Sequence, residues 1–266
     1  MIPKVIHYCW FGGNELSDKE LNCINSWKKY CPDYEIMRWD ESNFDVNANA
    51  YCREAYAQKK WAFVSDYARF LILYENGGLY FDTDVELIRP IQDIVDRGPF
   101  MGMQGTNWGP INTGLGLGAE KGMAVFRTIL DHYDSAHFLQ EDGLEDQTTV
   151  VERVTDLFAQ LGFQQKQEIQ KIAGVSVYPP EYFSPYDYRN GQMKITENTR
   201  SIHHYAATWL NEEQMKVRET RLRLTRIFGL KIGDRLGNLC ASFSRFKQRV
   251  KALGLKGALK YYRKYL

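Results

Sequence analysis

The 266-residue sequence predicts an α/β domain followed by a basic helical segment. Three observations carry this. Short apolar runs alternate with stretches of helical periodicity over the first two hundred residues. Glycine-rich punctuation separates them. The charge is divided, too: residues 1–213 hold 19 Lys/Arg against 31 Asp/Glu, whereas residues 214–266 hold 15 against 2. A net of −12 followed by +13 gives the two segments different physical tasks, and the domain boundary is expected at 213/214.

The elements follow in order. Val5–Phe11 is a short apolar run ending in Gly12-Gly13, the pattern of a first buried strand. Ser17-x-x-Glu20 is a capping box that opens a helix carrying Leu21, Ile24 and Trp27, with Pro32 past its end. Tyr34–Trp39 reads as a second strand and Asn47–Lys60 as a weakly patterned helix. Ala62–Tyr74 is apolar almost all round, so this helix is expected to be buried on most sides. Asn76-Gly77-Gly78 stops it, Leu79-Tyr80-Phe81 restarts as a strand, and Asp82-Thr83-Asp84 ends that strand. Phe100–Met103, Thr113–Gly118, Val175–Tyr178 and Ser201–Tyr205 read as further strands. Met123–Asp134 and Gln147–Leu161 read as helices. The alternating Gly114, Gly116 and Gly118 lack the G-K-[ST] of a phosphate loop.

The chemistry concentrates in two places. Asp82 and Asp84 stand where a strand ends and the chain turns, so both carboxylates can converge on one hard cation such as Mg²⁺ or Mn²⁺. Ligands of open α/β sheets bind beyond the carboxyl ends of strands. The second place is the preceding helix, where Asp66 and Arg69 share one arc of an otherwise apolar surface. Taking two charges out of water costs several kcal/mol each, which a polar ligand on that stripe would justify. Arg offers a donor fork and Asp an acceptor, a set suited to sugar hydroxyls and phosphate. A D-x-D phosphatase would carry its motif on the first strand, whereas here it follows a whole strand–helix–strand–helix segment.

The run Phe63-Val64-Ser65-Asp66-Tyr67-Ala68-Arg69, followed by Gly77-Gly78-Leu79-Tyr80-Phe81-Asp82-Thr83-Asp84, resembles the sugar-binding DXD region of family 32 glycosyltransferases. That group includes bacterial capsule and lipopolysaccharide transferases and yeast mannosyltransferases; clostridial toxin glucosyltransferase domains are similar over the same motif. The opening Ile2–Gly13 resembles the family's first strand, and His203-His204-Tyr205-Ala206-Ala207-Thr208-Trp209 resembles its late H…SW motif, with Thr208 in place of Ser. The resemblance spans roughly residues 1–210. It implies a GT-A fold, a mixed and mainly parallel central sheet flanked by helices, and an enzyme that moves a sugar from a nucleotide-sugar to an acceptor with retained anomeric configuration. It also implies a UDP-sugar donor, a Mn²⁺ or Mg²⁺ cofactor, and a glycan or lipid-linked acceptor of surface-polysaccharide synthesis. A protein acceptor and a non-catalytic sugar-binding module are the alternatives.

The resemblance also implies roles for residues. Trp10 would sit against the uracil, with the backbone around Val5–Phe11, His7 included, holding the base. Asp66 and Arg69 would grip donor sugar and ribose, and Tyr80 would stand near the sugar-phosphate. Asp82 would touch ribose and metal-bound water, and Asp84 would ligate the metal directly. A histidine joins them. The five-residue spacing to Trp209 favours His204, with His203 the alternative because strand neighbours point opposite ways. Thr208 and Trp209 would contact the diphosphate, Asn112 the donor sugar, and Asp146-Gln147 the acceptor side.

In residues 214–266, basic side chains from Arg218 to Lys264 are interleaved with Leu, Ile, Phe and Tyr. This is the composition of basic amphipathic helices on an anionic membrane surface; a helix packed on the acidic domain is the alternative, and no nucleic-acid-binding motif is present. The start, MIPKVIHYCWFGG, lacks an apolar signal core, and the five cysteines include no C-x-x-C pair. The expected setting is cytoplasmic, with reduced thiols and peripheral attachment to the inner face of the cell membrane.

Overall fold

A computed structural model describes residues 1–105, 109–141, 143–187, 191–206 and 212–264, with side chains described only in part of the last stretch. The element order is β1 (Val5–Cys9), α1 (Asp18–Tyr30), β2 (Glu35–Trp39), α2 (Ala50–Ala57), α3 (Trp61–Asn76), β3 (Gly78–Tyr80), β4 (Val85–Leu87), α4 (Gln92–Val95), β5 (Phe100–Met103) and β6 (Ile111–Ala119). There follow α5 (Ala124–Asp134), α6 (Val150–Gln160), β7 (Gln170–Ile172), β8 (Val175–Tyr178), α7 (Pro180–Phe183), β9 (Tyr186–Asp187), β10 (Gln192–Met193), β11 (Ser201–His203) and α8 (Glu212–Lys264).

Seven strands form one sheet in the order β2-β1-β3-β6-β5-β8-β7. The pairings run β2, β1, β3, β5 and β8 in one direction and reverse β6 and β7, which makes the sheet mixed with a parallel majority. Helices cover both faces. Val64, Phe70 and Leu73 of α3 pack with Phe126 and Leu130 of α5 and Phe158 of α6 over one face. Ile24 and Trp27 of α1, Ile94 of α4 and Phe183 of α7 build the core of the other. Such a three-layer arrangement explains the near-continuous apolar strands.

Local chemistry sets the helix starts. Ser17 and Glu20 form the expected capping box on α1, and Thr149 and Glu152 form a second on α6. Trp27, fully buried, donates its indole N–H to the Val85 carbonyl at 2.7 Å and so ties α1 to the short strand after the D-x-D. The weakly patterned helix contracts to α2, capped by the Asn49 side chain. The short elements β4, α4, β7, α7, β9 and β10 carry no period that a sequence pattern would reveal, since none exceeds four residues.

Strand β6 explains the alternating glycines. A Cβ on Gly118 would come 2.3 Å from the Phe100 ring, and one on Gly114 would come 1.9 Å from an Asp82 carboxylate oxygen. The absent side chains make room for an aromatic ring at one end of the strand and for a site carboxylate at the other.

By internal contacts the chain divides into two compact units, Met1–Tyr186 with Met193–Ala206, and Asp187–Gln192 with Ala207–Leu266. In the second, α8 is interrupted by non-helical backbone at Gly229 and Gly254. Among the described residues no helix is long and apolar enough to cross a membrane. All five cysteines are free; Cys9, Cys23, Cys31 and Cys52 are buried and Cys240 is exposed.

Candidate active site

β1 and β3 are parallel neighbours, with His7 opposite Tyr80. The residues that follow them, Trp10 and Asp82, therefore leave the sheet at the same edge. Alongside, α3 presents Asp66 and Arg69, only 8% and 3% exposed. The Arg69 guanidinium is saturated with partners. Its Nη2 donates to Asp66 Oδ1 at 2.8 Å, its Nε to the Ser65 carbonyl at 3.1 Å, and its Nη1 lies 3.3 Å from Asp82 Oδ1 and 3.4 Å from Thr113 Oγ1. The Tyr80 ring lies beneath it, 4.8 Å from centroid to guanidinium carbon. Burial pulls against the charge on Arg69, and Asp82, Tyr80 and Asp66 more than offset it, so Arg69 stays a cation. Burial also pushes the Asp66 carboxyl up to about 6, although Arg69 and the backbone N–H of Val150 at the start of α6 favour its ionised form.

Asp82 is seated on β6. Its N–H donates to the Gly114 carbonyl at 3.1 Å, and its carboxylate rests against the bare Gly114 Cα. Asp84 accepts from the Ala206 N–H at 2.7 Å and from His203 Nε2 at 2.9 Å, while the same Nε2 is 3.9 Å from Asp82 Oδ2. Against the burial of Asp84, His203 and the Ala206 amide hold its carboxyl at about 2, and the two carboxylates outweigh burial in raising His203.

Of the two histidines it is His203, not the favoured His204, that joins the pair. β11 pairs antiparallel with β4, and His203 lies opposite Val85, next to Asp84. His204 points away and meets Glu86 at 2.9 Å, half exposed. Strand alternation separates the two, and the register of β11 against β4, which the sequence did not reveal, decides which faces inward.

One oxygen each of Asp82 and Asp84 and one nitrogen of His203 lie within 4.8 Å of one another, and no other such group occurs among the described residues. These groups fit a divalent cation. The two carboxylates face one imidazole nitrogen, and among the described residues that nitrogen is held by no backbone group and the buried Nδ1 of His203 has no hydrogen-bond partner.

The remaining expected residues divide. Trp10 stands at the carboxyl end of β1, half buried, its indole donating to the Asn14 carbonyl at 2.7 Å. Val5 opens β1 and so lies four residues, about 13 Å, from the strand's carboxyl end. The His7 ring serves the fold, with Nδ1 accepting from the Trp39 indole at 3.0 Å and Nε2 meeting the Gly77 carbonyl at 3.0 Å. Tyr80 is 1% exposed and acts here as the floor under Arg69. Asn112 accepts from the Gly114 N–H and donates to Gln104, both at 2.8 Å, which steadies the Asp82 seat. Asp146 accepts from the Thr148 N–H and pairs with Arg153, whereas Gln147 is exposed beside Glu145. Thr208 and Trp209 lie outside the described residues.

Three contributors were missed. Thr113 and Gly114 had a signal, polar and bare residues inside an apolar strand. Arg153 had none: its guanidinium lies 5.4 Å and 5.3 Å from the buried Tyr51 and Tyr133 rings, a convergence of three distant segments. An open cleft of about 540 Å³ lies beyond the end of β1, walled by Gly12, Gly13, Glu41, Tyr56 and Trp61.

Residues 17–101 match the family described as "Glycosyltransferase sugar-binding region containing DXD motif". That match covers about a third of the chain. The matched region holds Asp66, Arg69, Tyr80, Asp82 and Asp84. Inositol phosphoceramide mannosyltransferase 3 of Schizosaccharomyces pombe is 33% identical over 98 residues, 35% of this chain and 27% of that protein. Inositol phosphoceramide mannosyltransferase 1 of the same yeast is 28% identical over 111 residues, 38% of this chain and 33% of that protein. The chain thus spans about a third of the curated relatives it matches. Among solved structures, the PaToxG glycosyltransferase has a TM-score of 0.44 at 21% identity, covering 60% of this chain and 68% of that one. The matched region carries Asp82 and Asp84 of the candidate metal group, whereas His203 lies outside it.

Proposed function

We propose that the chain transfers a sugar from a nucleotide-sugar, with UDP as the nucleotide, to an acceptor hydroxyl, retaining the anomeric configuration. The observation that carries this is the connected set Asp66–Arg69–Asp82–Asp84–His203 at the ligand edge of the sheet, of which all but His203 fall inside the matched sugar-binding region. Asp84, Asp82 and His203 would hold Mn²⁺ or Mg²⁺, whose charge neutralises the departing diphosphate.

The residues divide the work by chemistry. The Arg69 fork, fixed by Asp66 and Asp82, directs positive charge at the sugar-phosphate without reorganising. Asp66, buried and anchored by Val150, is placed to accept from a donor-sugar hydroxyl. Trp10, half buried at the carboxyl end of β1, offers an indole face to the base. In the reaction, the bond from the anomeric carbon to the diphosphate oxygen breaks. The acceptor oxygen bonds to that carbon on the same face, and its proton passes to the departing phosphate oxygen. The sugar acquires oxocarbenium character between the two events. The acceptor is a glycan or lipid-linked molecule; the mannosyltransferase names of the relatives add a mannosyl donor to the panel worth assaying.

Titration calorimetry of UDP with and without Mn²⁺ tests the reading, beside donor hydrolysis and transfer assays. The wild type is expected to bind UDP more tightly with Mn²⁺, and Asp84→Ala to lose that gain while remaining folded. Unchanged metal dependence in Asp84→Ala, or no turnover of any nucleotide-sugar by the wild type, overturns it.

A further inference from the structure

The second unit contains a surface that the transferase reading does not use. α8 breaks at Gly229, where φ is 76° and ψ is 167°, a conformation that glycine adopts without strain. After the break, the chain returns along itself. A Cβ on Gly233 would fall 2.3 Å from the Thr225 Cα, and one on Gly237 would fall 2.5 Å from Arg221 Cγ. The paired positions are symmetric about Gly229, so segments 212–228 and 230–253 form an antiparallel helical hairpin. Gly233 and Gly237, one turn apart, permit the close approach, as small residues do at helix contacts.

That contact has a rotational consequence. With Gly233 and Gly237 facing the first segment, the side of 230–253 about 100° away is turned outward. It carries Ile232, Leu239 and Phe243, at i, i+7 and i+11, which fall within about 40° of one another. All three are exposed, at 54%, 66% and 70%. Arg235 and Lys247, also exposed, flank the stripe at about 60° on either side. At the break, Ile227 and Phe228 are likewise exposed, at 62% and 51%.

We propose that segment 230–253 lies in the plane of an anionic lipid leaflet, with Ile232, Leu239 and Phe243 entering the acyl boundary and Arg235 and Lys247 reaching the phosphates. Charge complementarity selects this occupant. The 214–266 segment carries +13, so a second copy of it is repelled, while a negative surface attracts it. Long basic side chains at the edges of an apolar stripe can keep their heads at the phosphates while their stems pack on it. The hairpin supplies what composition alone lacks, a fixed rotation of the helix. The proposal is independent of the transferase reading, because donor binding and vesicle binding are separate measurements.

An environment-sensitive NBD label on the full chain tests it. In a Cys240→Ser background, where the remaining cysteines are buried, the label is placed at Phe243→Cys or at Asn238→Cys, on the far side of the same segment. With phosphatidylglycerol vesicles, emission at 243 is expected to shift to the blue and rise several-fold, while emission at 238 stays water-like. Neither should change with phosphatidylcholine vesicles. In co-sedimentation, Leu239→Ser/Phe243→Ser is expected to lose tenfold or more in partitioning, with UDP binding unchanged. Equal responses at 243 and 238, or undiminished vesicle binding by the double variant, overturn the proposal. So does a dimer in sedimentation velocity that the double variant dissociates without lipid.

Discussion

The candidate active site and the hairpin of α8 treat charge in opposite ways. In the first, Asp66, Arg69, Asp84 and His203 are taken out of water, and each charge is met by another at 2.8–3.3 Å or by a backbone amide. In the second, Arg223, Arg226, Lys231 and Arg235 stay exposed beside exposed Ile, Leu and Phe. A buried cluster of this kind is sensitive to every member, since removing one leaves another charged and unsolvated. An exposed basic face spreads its effect over many weak contributions, each screened by salt. Single substitutions are therefore expected to be severe in one region and mild in the other.

Among effects on ligand binding, the largest is expected at Gly114. Gly114→Ala places a methyl group 1.9 Å from the present Asp82 oxygen, so the carboxylate must leave its seat. Mn²⁺-dependent UDP binding measured by calorimetry should fall by about a hundredfold, or roughly 2.7 kcal/mol. Retention of full affinity would show that Asp82 can move without consequence. Next comes Arg69→Ala, which leaves Asp66 and Asp82 without their shared partner. It should cost about 3–5 kcal/mol in denaturant unfolding and slow transfer more than it weakens UDP binding.

A third effect separates structure from ligand contact at His7. Burial holds its ring at about 4, below the ordinary value of 6.5, so the native state keeps it neutral while the unfolded chain protonates. The stability it contributes is present above pH 6.5 and is lost as the pH falls through that value to about 4, a total of about 3 kcal/mol. Comparing the pH dependence of unfolding in His7→Gln with that of the wild type isolates the term, and a parallel pair of curves would refute it. A smaller loss is expected for Thr149→Ala, about 1 kcal/mol of thermal stability, because the capping box of α6 is broken. At the other extreme, Arg223→Gln in the exposed hairpin should alter unfolding by no more than about 0.5 kcal/mol. A large change there would erase the contrast between the two regions.

Several features were legible from residues alone because they depend on near neighbours in the chain. The Ser17 capping box, the all-round apolar α3, the stop at Gly77 and the strand-end Asp82 and Asp84 all follow from spacing within a few residues. The stripe of Asp66 and Arg69 follows from helical period, and the charge division from counting. What remained open involved segments far apart in the chain. The choice of His203 over His204 depends on β11 pairing with β4 across more than a hundred residues. The glycine alternation of β6 acquires its meaning only when Phe100 and Asp82 arrive from neighbouring strands. Arg153 joins Asp146 to two tyrosines from other helices, and the outward face of 230–253 is selected by the contact of Gly233 and Gly237 with the preceding segment. Local sequence sets backbone preference and the period of polarity. Register and rotation are settled by packing between distant segments, where a shift of one residue turns every side chain to the other face.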